Sequence, residues 1–224
     1  MTDVIYLVGM KRVCVAFVIV IAIAAATTGC SCGFTEIESD GFRVLSVTRD
    51  HYSFSFEYST FYQREGPDYI TDGSTIPSIY IALGAPEKTR HLTVPADESR
   101  TISVTYTPAV IEISIYAPRD SPTIPQSAIE RIENDISDSS KWENFELLER
   151  YPVTVSGVEG ELIAFVIDWF LPFGEEWPDL QYHRRFYFDF DGLIWTITAM
   201  SEMEMVDQVK ADFEHILETF EILD

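Results

Sequence analysis

Residues 52–59 alternate strictly, Tyr52, Phe54, Phe56 and Tyr58 against Ser53, Ser55, Glu57 and Ser59. That period of two is the signature of a strand with one apolar face. It returns at 110–116, where Glu112 and Ser114 separate Ile111, Ile113 and Ile115. Apolar runs at 76–83 and 101–107 predict two further strands, and the Gly-, Pro- and charge-bearing stretches 61–74 and 84–99 predict loops. The period then changes. Ser127-Ala128-Ile129-Glu130 reads as a capping box opening a helix whose apolar face carries Ile129, Ile132 and Ile136. Ser201-Glu202-Met203-Glu204 reads as a second capping box. Behind it, Val206, Val209, Phe213, Ile216, Leu217 and Phe220 form a stripe at spacings of three and four.

Between the two helices, 145–150, 153–155 and 161–170 read as strands, and 185–198 as a hairpin. Asp191-Gly192 is its turn, because a type I′ turn needs positive φ at both central residues. This register sets Phe190 opposite Leu193, Phe188 opposite Trp195 and Phe186 opposite Ile197 on one face, onto which the terminal helix packs its stripe. Arg185, Tyr187, Asp189, Thr196 and Thr198 take the wetter face. The order strands, helix, strands, helix predicts an α+β fold, an antiparallel β-sheet flanked by helices in a single domain.

A different pattern fills the N-terminus. Lys11-Arg12 precedes an apolar run at 13–26 that closes on Thr27-Thr28-Gly29-Cys30-Ser31-Cys32. A basic start, an apolar core of about 7–15 residues and a small-residue exit describe a secretory signal peptide. Met10 makes a more ordinary start for it than Met1, because Asp3 lies ahead of the basic pair. Thr28-Gly29-Cys30 resembles the end of a bacterial lipobox, with Thr27 where leucine is usual, and the resemblance implies that Cys30 becomes a lipidated N-terminus. Cys32 fits that pattern less well. The rivals are an uncleaved anchor, although the run is shorter than the ~20 residues a spanning helix needs, and plain secretion after cleavage near Ala26. The chain thus divides into a leader at 1–29, a small, polar, acidic tether at 30–41 and a folded domain at 42–224. All three readings place that domain outside the cytoplasm.

Cysteine usage agrees with this division. All three cysteines, Cys14, Cys30 and Cys32, precede residue 33, so the folded part has no disulfide, thiolate nucleophile or cysteine-based zinc site. The net charge is −22, and Asp3, Lys11 and Arg12 are the charges ahead of Cys30, so the mature part is one unit more negative still. Such a field repels phosphate backbones and argues against nucleic acid. It serves solubility first, and attraction of a basic partner second.

The element order resembles the PsbP/Mog1 family, including PsbP-like domains of bacterial lipoproteins. The residues that carry the resemblance are 52–58, Val155-Ser156-Gly157, and the unit from Phe188 through Asp191-Gly192 to Trp195 and the terminal helix. The family's usual Tyr-Pro and Trp after the first strand are replaced here by Tyr58-Ser59 and by Phe61-Tyr62. The resemblance implies a sheet sandwiched between helices (α/β/α), used as a binding or assembly module. No binding-surface residue of a relative has a counterpart here.

No catalytic or metal-binding pattern stands out. Asp189 to Gly192 fails as an EF-hand loop, since Tyr187 holds its first position and Thr198 its last. His51, His91, His183 and His215 have no metal-ligand spacing, and His215 falls off the helical stripe, which predicts solvation. Residues 155–158 lack the first glycine of a nucleophile elbow. The sequence therefore predicts no cofactor and no metal. One stretch, 168–181, is expensive for a plain surface loop, with Trp169, Phe170, Phe173 and Trp177 among Pro172, Gly174, Pro178 and acidic residues. Large aromatics on a Pro/Gly-bounded loop suit a partner-facing surface, while folding back over the core is the rival. The expected function is a membrane-tethered, non-enzymatic module with a lipid anchor and a protein partner. The alternatives are an extracytoplasmic hydrolase-like enzyme with a site assembled only in three dimensions, and an envelope structural protein.

Overall fold

The structure is a computed structural model, and it describes residues 33–48, 53–65, 79–94, 97–116, 126–141, 144–170 and 176–223. The leader and Cys30 lie outside these residues. In chain order the first strands are β1 (Gly33–Ser39), β2 (Phe42–Thr48), β3 (Ser53–Ser59), β4 (Gln63–Glu65), β5 (Ile79–Gly84), β6 (Lys88–Val94), β7 (Asp97–Tyr106) and β8 (Ala109–Tyr116). Helix α1 (Ala128–Ser139) follows, then β9 (Glu146–Val155), β10 (Val158–Phe170), β11 (Glu176–Phe190) and β12 (Leu193–Glu202). A 3₁₀ turn (Met203–Met205), α2 (Val206–Thr219) and β13 (Glu221–Leu223) close the chain.

These strands form a four-stranded sheet, β1-β2-β3-β13, a seven-stranded sheet, β4-β5-β8-β12-β11-β10-β9, and the separate hairpin β6-β7. All pairings are antiparallel. The expected Asp191-Gly192 hairpin is present in the expected register, with φ of 50° and 71° at its two turn residues. Alternation in β3 buries Phe54, Phe56 and Tyr58, and alternation in β8 buries Ile111, Ile113 and Ile115. These side chains meet Phe186, Phe188, Trp195 and the α2 stripe (Val209, Phe213, Ile216) in the main core. Phe54 meets Trp195 edge-on at 5.3 Å, a favoured aromatic geometry. A smaller core on the opposite face of the large sheet joins Ala128 and Ile132 of α1 to Ile163, Phe165, Tyr187 and Ile194. One face of the large sheet thus carries α1, and the other carries the small sheet together with α2. A sheet in place of a purely helical second layer is more than the sandwich expectation held.

Several local expectations are corrected. Residues 33–39, placed in the tether, form β1 and pair along their whole length with β2, so the fold extends into that stretch. Lys88 to Val94 and Asp97 to Ser99, placed in a loop, belong to the β6-β7 hairpin. Ser127 does cap α1, accepting from the Glu130 amide at 3.2 Å, but Ile129 faces solvent, and Ala128 joins Ile132 in the buried face. The second capping box does not form: Ser201 and Glu202 are the last, buried residues of β12, and α2 begins at Val206 without a side-chain cap. His215 is not simply solvated, since its ring packs on Phe42 with centroids 4.3 Å apart, and Nε2 lies 3.3 Å from a Glu57 carboxylate oxygen.

Candidate functional site

The stretch 168–181 is mostly strand. β10 runs on to Phe170 and β11 starts at Glu176, with Asp168 opposite Leu180 and Phe170 opposite Glu176. Trp169 and Phe170 therefore end β10, and Trp177 is the second residue of β11. Phe173 lies outside the described residues. The flanking strands stop short. β9 reaches only to Val166, opposite Glu146, and β12 only to Gln181, opposite Glu202. Among the described residues, 167–170 and 176–180 pair only with each other. They form a two-stranded arm that continues beyond the sheet.

A second arm leaves the same end. β5 finishes at Gly84 and β8 starts at Ala109, two residues from that end of the sheet, and the β6-β7 hairpin spans the interval. Its root is fastened by one carboxylate. Glu202, 1% exposed, accepts from Tyr106 Oη at 3.0 Å and Arg90 Nη2 at 3.2 Å, and Lys88 Nζ donates to its other oxygen. A buried carboxylate is tolerable only when paired and hydrogen-bonded in this way. Glu202 thus sits at the floor between the two arms.

Strand β11 carries a run of polar groups set into the fold, His183, Arg184 and Arg185, which alternate between the two faces of the sheet. Arg184 points to the α2 side, where it donates to Glu149 at 2.8 Å, Tyr151 Oη at 2.8 Å and Glu214 at 3.2 Å, with its guanidinium 5.9 Å from the Phe213 ring. Lys210 completes the group by donating to Glu149 at 3.1 Å. Burial opposes ionisation of Glu149, but the bonds from Lys210 and Arg184 outweigh it and hold the carboxyl below its ordinary range. Arg185 points to the α1 side and donates to Asp135 at 2.8 Å, as does the Tyr187 hydroxyl at 2.5 Å.

His183 sits beside Arg185, and both stack on Phe165, at 4.8 Å and 5.2 Å from its centroid. Arginine can only donate, so the contact from Arg185 Nη2 at 3.3 Å makes His183 Nδ1 an acceptor. Nε2 then carries the proton and donates to Gln181 at 2.8 Å. Burial, and secondarily Arg185, push the imidazole down to about 3. Such a ring stays neutral and is a poor proton acceptor. Its role is structural, to orient Gln181 and fill the space over Phe165.

The sequence pattern sets Glu202 in a capping box and Arg185 on the wetter hairpin face, and it singles out neither Arg184 nor Asp135. The available signal was His183-Arg184-Arg185 inside an otherwise aromatic strand, which obliges each face of the sheet to supply a carboxylate. Among the described residues, no group of three His, Cys, Asp or Glu is placed to hold a metal ion. No described helix is long and apolar enough to cross a membrane.

No family model matches the chain, and no curated protein matches it in sequence. Its fold is similar to the solution structure of cyanobacterial PsbP (CyanoP) from Synechocystis sp., with a TM-score of 0.48 and 13% identity over 86% of this chain and 98% of that one. It is also similar to the crystal structure of LpqN, involved in cell envelope biogenesis of Mycobacterium tuberculosis, with a TM-score of 0.37 and 8% identity over 86% and 91%. The first of these is of the family that the sequence resembles.

Proposed function

We propose that this chain is an extracytoplasmic, membrane-tethered binding or assembly module, non-enzymatic, that holds the membrane through Cys30 and meets a protein partner through Trp169, Phe170, Phe173 and Trp177 of the stretch 168–181. The observation that supports it is the register of β9 to β12, which extends an aromatic-rich hairpin beyond its neighbours. Trp and Phe supply large contact area at low ordering cost, which suits a strand pair that runs past its neighbours to partner recognition. The buried charges support the same reading, because Arg184, Arg185 and Glu202 direct their ion pairs at other elements of the fold, with the two arginine Nε atoms left unpaired inside it.

The tether is tested by metabolic labelling with a palmitate analogue. Label should incorporate into the wild type and Cys32→Ala and vanish in Cys30→Ala. Incorporation that survives in both variants would exclude Cys30 as the acylated residue and return the apolar run at 13–26 to the role of an uncleaved anchor.

A further inference from the structure

We infer that the domain stands on the membrane with one defined end down: the end bearing the Ser156-Gly157 and Asp191-Gly192 turns faces the lipid, and both arms point away from it. This rests on the proposal that Cys30 carries the anchor. The argument begins with chain length. Gly33, the first residue of β1, is three residues after Cys30, a span of about 11 Å at full extension. No long linker separates lipid from fold, so whichever end of the domain holds Gly33 is held close to the bilayer.

The pairing registers identify that end. Gly33 lies opposite Thr48, Thr48 opposite Ser53, and Ser53 opposite Leu223, which makes one row across the small sheet. The neighbouring Ile222 amide donates to Ser156 Oγ at 3.0 Å, and this joins the row to the β9-β10 turn of the large sheet. Asp191-Gly192 is at the same end, since Gly160 lies opposite Phe188, each three residues from its turn. The other end of the small sheet is tied to the arm end of the large one. Gly41 O accepts from the Thr60 amide, β3 ends at Ser59, and β4 starts at Gln63, opposite Gly84 at the root of the β6-β7 hairpin. The two sheets therefore share one polarity, with the anchor at one end and Glu202 and both arms at the other. β10 runs the length of the large sheet, and its 13 residues place Phe170 about 40 Å from the turn before Val158.

The lower end suits a position close to lipid without insertion. Glu159, Asp191 and Glu221 are exposed there, and carboxylates are repelled by anionic headgroups. The polarity also decides between two uses of the aromatic arm. Trp and Phe could serve as a membrane-interface anchor, but an arm directed away from the bilayer meets a protein in the surrounding space instead.

Single cysteines at exposed sites test this, because residues 33–224 contain none. Glu159→Cys marks the lower end and Glu87→Cys the arm end, each in a Cys32→Ser background that retains Cys30. The purified acylated protein, dye-labelled and reconstituted into phosphatidylcholine vesicles with a headgroup-attached energy acceptor, should show several-fold stronger transfer from position 159 than from position 87. Equal or reversed transfer on protein whose N-terminal peptide carries the acyl mass overturns the orientation alone. Absence of the acyl mass overturns the anchor, and the orientation falls with it.

Discussion

His183 is the side chain whose chemistry is most altered by its surroundings. Its folded pKa of about 3 lies below the ordinary value of 6.5, so between these limits the unfolded chain binds the proton and the native state does not. Stability from this residue is complete above pH 6.5 and is lost as the pH falls towards 3, at up to about 1.4 kcal/mol per pH unit. Urea midpoints measured between pH 4 and 6.5 should therefore fall with acidity in the wild type, and His183→Gln should flatten that slope. An unchanged slope would mean that the histidine is not buried neutral. Arg184 and Arg185, adjacent in sequence, have separate roles on opposite faces of the sheet. Their partners, Glu149 and Glu214 on one side and Asp135 on the other, come from β9, α2 and α1, so each arginine fastens a different part of the fold to the large sheet.

Elements whose causes are local were legible in the sequence, and elements held by distant partners were not. The β6-β7 hairpin is of the second kind, since its root depends on Glu202, more than ninety residues away from each of the three side chains it accepts from. Glu202→Ala should cost about 1–3 kcal/mol, at the low end of buried-pair losses because Lys88 and Arg90 are partly exposed and can regain water. Amide exchange should quicken in Lys88–Val94 while the Leu193–Ile197 amides change little, and uniform quickening across both would contradict a local fastening. The same residue explains the misread second capping box. Ser201-x-x-Glu204 has the right spacing, but Glu202 is drawn into β12 by Lys88, Arg90 and Tyr106, and α2 starts later. The Asp191-Gly192 hairpin and the α2 stripe were read correctly because turn chemistry and period are contained in the segment itself. β1 is not legible because its sequence is largely polar and acidic and, apart from Phe34, faces solvent as an edge strand, and the arm is not legible because Pro172, Gly174 and Pro178 mask the strand pattern.

Across the whole molecule, stability comes from one large aromatic core, a smaller one beneath α1 and a third cluster of Ala164, Val166 and Tyr182 against Val206, without disulfides in residues 33–224. Edge strand β9 shows how association along the sheet is limited. Leu148 is an extra residue in its pairing with β10, and Pro152 removes a donor, two devices that blunt an exposed edge. The net charge of −22 works in the same direction by keeping copies apart. With the edge blunted, the arms are the features that extend from the sheet, and the central claim is that the arm of β10 and β11 meets a partner. A photoreactive amino acid at position 177 in intact cells tests it most directly, with the same group at the exposed position 129 of α1 as control. Irradiation should give a discrete protein adduct from position 177 that is absent from position 129 and lost in Phe170→Ala, whereas no adduct from 177, or the same adducts from both positions, would contradict a partner-facing arm.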